Sequence, residues 1–218
     1  MASWLLLQLV DGAFPSGAFA HSNGLEATLH LRGIARIETF LDEVLWQTGR
    51  ASLPFVRAAC EARGDPAPLA ELDALFDASC VSHVANRASR AQGRAFASTC
   101  ARVFDDARIQ AIGEHGRRGP AHHAPVLGAV FGALGLGPDD AQSAYLHGTA
   151  RGILSAGVRL GLLGPLEAQQ VLAEASGTLG RILASCMHLE PAETTQAAPL
   201  LELFGALHER LDGRLFQS

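Results

Sequence analysis

Ile37-Glu38-Thr39-Phe40-Leu41-Asp42-Glu43-Val44-Leu45 places its apolar side chains at Ile37, Phe40, Leu41, Val44 and Leu45. The spacing is i, i+3, i+4, i+7, i+8, which is one stripe along an amphipathic helix. The same period extends in both directions. Upstream, Leu25, Leu29 and Arg32 mark a short helix, with Gly33 as its stop. Downstream, 53–62 reads as a helix with Pro54 tolerated in its first turn. Gly64-Asp65-Pro66-Ala67-Pro68 reads as a turn. Helices are then expected from Leu69, over 83–104, over 107–115 and over 126–134, with 116–125 as the most loop-like interior stretch. Asp139 or Asp140 opens a long helix to about Leu162, where an acid suits the positive end of the helix dipole. Gly164-Pro165 breaks it. A second long helix is expected over 166–188, then a polar connector over 190–199 and a last helix over 200–211.

No segment alternates with a two-residue period and β-branched enrichment. The chain therefore reads as all-α, a compact multi-helix domain of about ten helices with no sheet. No repeat, charge block or composition shift divides it, so residues 1–218 are expected to form one domain.

Charged residues make up 18% of the chain and apolar ones 48%, with a mean hydropathy of +0.16. So few charges fit either apolar surface that a partner or a second copy covers, or a compact protein with a large interior. All 17 basic residues are arginine, and the net charge is -5. The sequence shows no basic run of the kind that marks a nucleic-acid binder. Without lysine it cannot supply the phosphate-binding residue of a P-loop, so any GTP or ATP hydrolysis by that device belongs to a partner. Cys60, Cys80, Cys100 and Cys186 form no C-x-x-C pair and read as reduced, mostly buried thiols of a cytoplasmic protein. The apolar run over 4–10 has no basic residue before it and Asp11 close behind, which argues against a signal peptide. The uncharged stretch over 119–138 is too broken by Gly, Pro and His to span a membrane.

Residues 14–26, Phe-Pro-Ser-Gly-Ala-Phe-Ala-His-Ser-Asn-Gly-Leu-Glu, read as a shaped turn leading into a helix. Pro15 fixes its own φ, and Gly17 opens backbone angles closed to other residues. Asn23 with Glu26 three residues later fits a capping box. Ala144, Gly148, Gly152 and Ala156 stand four apart on the 139–162 helix. Such a small-residue stripe admits a closely packed helix, either internal or from a second copy of the chain.

Chemistry of its own finds little support. His122-His123 and Cys186-x-His188 do not supply the three or four spaced ligands of a tight metal site. There is no G-x-S-x-G elbow. Asp105-Asp106 and Asp139-Asp140 are explained by helix starts. No catalytic residue, metal site or cofactor is assigned. The tail differs, because Arg214 and Phe216 are an arginine and an aromatic of the kind favoured at interface hot spots, and the tail either folds back on its own domain or meets a partner.

The 14–26 segment resembles the N-terminal signature of the urease accessory protein F (UreF) family, a Pro-x-Gly-x-aromatic-x-His/Tyr-Ser-x-Gly-Leu-Glu turn. Further likeness lies at 53–56, 150–156, 159–162, 164–169, 196–199, 208–211 and 214–216, in order along nearly the whole chain. The resemblance implies an all-helical, non-enzymatic, usually dimeric adaptor. Such an adaptor binds UreD (also called UreH), recruits the GTPase UreG and takes part in nickel delivery to the urease apoprotein. It marks Pro15, Gly17, Phe19, His21, Ser22, Gly24 and Glu26, with Arg214 and Phe216 of the tail, as partner-binding residues. Two positions depart from the pattern. Phe19 stands where many relatives carry tyrosine, and Asp212-Gly213 where Tyr-Ser is frequent. The alternative reading is a nickel shuttle or store with its own His/Cys site. Arg214→Ala, or loss of residues 213–218, is expected to weaken partner assembly and leave helicity intact.

Overall fold

A computed structural model of the protein describes residues 4–34 and 36–218. Those residues form twelve α-helices and no strand. In order they are α1 (Trp4–Val10), α2 (Leu25–Leu31), α3 (Ile37–Ala51), α4 (Leu53–Glu61), α5 (Pro66–Ser79) and α6 (His83–Val103). Then come α7 (Ala107–Arg118), α8 (His123–Ala133), α9 (Pro138–Arg159), α10 (Pro165–Glu174), α11 (Ser176–Cys186) and α12 (Pro199–Ala206). None of them is long and apolar enough to cross a membrane.

The α3 stripe faces inward, with Phe40, Leu41, Val44 and Leu45 buried and Ile37 half-buried. α8 is buried on every side over 124–133, as a helix without a polar face must be. Two apolar clusters result, and α9 lies between them. Ala141 and Ala144 pack with Phe55, Phe96 and Phe131 on one side. Leu146, Ile153 and Leu154 pack with Leu25, Phe40 and Ile182 on the other.

Helices α8 and α4 meet backbone to backbone. A methyl group on Gly128 would collide with the Val56 carbonyl oxygen, and one on Gly132 with that of Cys60. The stripe on α9 behaves differently. Ala144 and Ala156 are buried, yet a methyl on Gly148 would meet nothing within 4 Å. One on Gly152 would meet only Asn23 Nδ2, at 3.6 Å. Among the described residues no helix closes over the two glycines.

Asp73, fully buried on α5, holds the α7–α8 connection. Its carboxylate accepts from the main-chain N–H of Ala121 at 2.6 Å and of His122 at 2.7 Å. His115 Nε2 donates to it at 2.6 Å. Ala121 adopts φ 60°, a left-handed angle that alanine seldom takes, held here by the bond to Asp73. His122 is fully buried, with Nε2 2.9 Å from Asp77 Oδ1.

Four boundaries depart from the sequence reading. Asp65 caps α5 by accepting from the Ala67 N–H at 3.0 Å, so Pro66 to Pro68 belong to a helical first turn, not to the preceding turn. α7 runs on to Arg118, which leaves only 119–122 as loop. The expected 166–188 helix is two helices meeting at Ala175, beside Ser176-Gly177, a residue pair that favours kinks. The last helix is α12 followed by a separate 3-10 turn, His208–Arg210.

Candidate functional site

The turn over 14–26 is built on left-handed residues, with Gly17 at φ 76°, Asn23 at 53° and Gly24 at 80°. A 3-10 turn, Ala18–Ala20, lies inside it. The Asn23–Glu26 capping box does not form. Gly24 occupies the cap position of α2 and makes no side-chain cap bond. The Glu26 carboxylate has gone elsewhere, to partners that satisfy it better than a single main-chain N–H could.

Those partners come from the far end of the sequence. Glu26 Oε1 accepts from the Leu215 N–H at 2.7 Å, and Oε2 from the Phe216 N–H at 3.1 Å. His208 Nε2 lies 2.9 Å from Oε2 and donates to it, since an ionised carboxylate only accepts. Beside this, the Ser22 N–H and hydroxyl both donate to the Ser218 main-chain oxygen, at 2.7 and 2.8 Å. The Gln217 N–H donates to the Ala20 carbonyl at 2.9 Å. His21 Nδ1 and Ser218 Oγ are 2.7 Å apart. The tail is thus clasped along the 20–26 segment. Burial alone pushes the Glu26 carboxyl up, but the bonds from Leu215, His208 and Phe216 outweigh it and hold the group below its ordinary value. Burial, then the neighbouring His208, push His21 down.

Arg159, at the end of α9, joins the two segments a second time. Its guanidinium carbon lies 3.9 Å from the Phe19 ring centroid and 4.2 Å from that of Phe216. Both contacts are cation–π pairs. Nη1 donates to the Phe19 carbonyl. Phenylalanine at position 19 forgoes a hydroxyl but keeps the ring face that this contact uses. A cleft of about 340 Å³ opens next to it, between residues 12–19 and α9, with Pro15, Phe19, Gly148, Gly152, Ser155 and Arg159 on its walls.

The structure divides the expected partner-binding residues. Pro15, Gly17, Phe19 and Arg214 are exposed and Gly24 is half-buried. His21, Ser22, Glu26 and Phe216 are buried and engaged within the chain. Removing residues 213–218 would therefore strip partners from buried Glu26, Ser22 and His21, and could not leave the fold untouched. Arg159 and His208 received no role from their types or spacing, because their partners are remote in sequence.

The thiols are not poised for chemistry. Burial pushes Cys100 up to about 12. Burial, with the carboxylates of Glu202 and Asp77, does the same for Cys80 at about 12. Among the described residues no three His, Cys, Asp or Glu side chains group as metal ligands.

The UreF family profile matches residues 31–176. Urease accessory protein F of Arabidopsis thaliana is 34% identical over 99% of this chain and 92% of its own length. The chain belongs to the UreF family. A urease accessory protein F of rice (Oryza sativa subsp. indica) is likewise 34% identical, over 98% of this chain and 84% of its own. UreF of Trichodesmium erythraeum is 25% identical over 97% and 94%. The profile match stops short of both halves of the clasp. The named relatives align over 97–99% of this chain, an extent that takes in most of the clasp.

Proposed function

We propose that the protein is a non-enzymatic adaptor of urease maturation in the cytoplasm. It joins UreD (UreH) to the GTPase UreG and couples nickel delivery to the urease apoprotein to the nucleotide state of that GTPase. The observation that carries this reading is the likeness to proteins named as urease accessory proteins over nearly the whole chain. The side chains agree with an adaptor. Buried Glu26 and Asp73 spend their acceptor capacity on this chain's own donors, and Cys100 and Cys80 are held as thiols. Coupling follows if the assembly binds one nucleotide state of UreG more tightly than the other.

The docking face we assign is the exposed part of the clasp, Pro15, Gly17, Phe19 and Arg214. His21, Ser22, Gly24, Glu26 and Phe216 act behind it by holding that face in shape. A homodimer is part of the proposal, with the open Gly148–Gly152 floor as the place where a second copy approaches.

Co-purification of tagged protein with UreD, and through that pair with UreG, is the test. Arg214→Ala combined with Phe19→Ala should weaken recovery of both partners at unchanged helicity. Wild-type protein that ignores both partners, or that turns over a substrate unaided, overturns the reading. Tight stoichiometric nickel binding by the isolated chain would favour a shuttle instead.

A further inference from the structure

The 21-residue helix α6 carries Arg87, Arg90, Arg94 and Arg102 and no Asp or Glu. The rest of the chain holds all 22 acidic residues. Apart from Val103 at its last position, the exposed residues along α6 are His83, Arg87, Ala91, Arg94, Ser98 and Arg102, three or four apart, which is one face of the helix. Arginines alternate there with short side chains. Arg94 and Arg102 have no ion-pair partner among the described residues. Arg90 lies beside this face and turns toward Asp77 at 3.8 Å. The sequence shows no basic run because helical spacing dilutes these residues among neutral ones.

The protein already seats one carboxylate on this face. Glu209, from the 3-10 turn after α12, reaches His83 Nε2 at 3.1 Å and pairs with Arg87. The remaining two-thirds of the stripe stand open.

We propose that the exposed face of α6 is a docking surface for an acidic helix of a partner protein. The inference goes beyond urease maturation and does not depend on it. Arg87 and Arg94 are seven residues apart, and Arg94 and Arg102 eight, so the charges stand roughly 10–12 Å apart along the axis. A helix packed alongside repeats its own face every seven residues, about 10.5 Å, and can present carboxylates in register. Ala91 and Ser98 let its backbone come close between the charges. A nucleic acid fits less well. Each strand of a duplex carries a phosphate about every 3.4 Å of helix axis, and a chain of net charge -5 repels a polyanion beyond the stripe.

Fluorescence anisotropy of the full chain tests this with three labelled probes. They are an alanine-rich helical peptide of about 22 residues with glutamates at seven-residue spacing, its Glu-to-Gln counterpart, and a DNA duplex of about 20 base pairs. The acidic peptide should bind, and raising salt from about 50 to 200 mM should weaken it. Arg94→Glu with Arg102→Glu should weaken it at least about tenfold, and Arg94→Gln with Arg102→Gln by an intermediate factor. Arg32→Glu with Arg36→Glu makes the same change of net charge at exposed sites elsewhere and should leave affinity within about twofold. Several results overturn the proposal: no binding of the acidic peptide, equal binding of the glutamine peptide, tighter binding of the duplex, or equal losses from the two charge-reversal pairs. Melting followed by circular dichroism checks that each variant is folded.

Discussion

Glu26 and His208, 182 residues apart in sequence, meet side chain to side chain at 2.9 Å, with both side chains almost excluded from solvent. A carboxylate so buried must be paired and bonded or it would not stay charged. Here its two oxygens take three donors, and all three come from residues 208–216. The pair therefore fixes where the tail lies. With it are fixed the place of Phe216 under Arg159 and the shape of the turn that carries Phe19.

Glu26→Ala should leave His208 and two main-chain N–H groups without their acceptor. Unpartnered buried donors cost about 1–3 kcal/mol each before relaxation. Because the tail can swing out to water, a net loss of about 3 kcal/mol is expected. Urea unfolding followed by circular dichroism measures it, and limited proteolysis should cut the variant first within 205–218. A loss below about 0.5 kcal/mol, with the tail still protected, would contradict the clasp.

Acid should loosen the protein well above the range where exposed carboxylates titrate. Burial lowers His123 from 6.5 to about 4, with a smaller push from His21. His21 and His122 are also lowered, chiefly by burial. Between its folded and unfolded values such a histidine binds fewer protons folded than unfolded, so stability rises with pH there and falls on acidification. For His123 the window runs from 6.5 down to about 4, with a limiting slope of about 1.4 kcal/mol per pH unit. Glu26 acts in the same direction at lower pH, because its depressed value makes its stabilisation disappear as pH falls through it. Melting temperatures between pH 7 and pH 4.5 should fall. His123→Phe, a ring that suits the neighbouring Phe96 and Tyr145, should flatten part of the fall. An unchanged slope in that variant would remove His123 from the account.

Glycines four apart on two helices should respond in opposite ways to alanine. Gly128→Ala or Gly132→Ala drives a methyl into the α4 backbone and should cost about 3 kcal/mol, at the upper end for overpacking. Gly148→Ala meets open space and should stabilise α9 by about 0.5–1 kcal/mol. Thermal melts separate the two. If a second copy of the chain closes on the α9 stripe, Gly148→Leu should also shift the sedimentation coefficient toward monomer.

Asp73→Ala removes the acceptor for His115 and for the Ala121 and His122 N–H groups at once. It also releases the left-handed Ala121. A destabilisation of about 3–5 kcal/mol is expected, read by urea unfolding. Hydrogen exchange should quicken first in residues 119–124. Uniform exchange across the chain would show that Asp73 does not act locally.

Much of the fold was legible because its helices are amphipathic and punctuated. The α3 stripe, the Gly33 stop and the Gly164-Pro165 break appear where local rules place them. The Ala175 kink did not, because Ser176-Gly177 is a weak breaker whose effect depends on packing. The Gly128–Gly132 spacing was present in the sequence as plainly as Gly148–Gly152. Only the neighbouring helix tells which pair is pressed and which is open. The resemblance brought both halves of the clasp into view but could not say that half of those residues face inward.

The sequence by itself determined an all-helical chain, its main breaks and its family, since these follow from local periodicity and from matching residues in order. The tertiary structure alone decided that Glu26 serves His208 and the tail and not its own helix, that Arg159 lies over two rings, and that three dispersed arginines share one face of α6. A buried polar group is satisfied by whichever partner the fold brings within about 3 Å. Which partner that is depends on how the helices pack, and local sequence does not encode it.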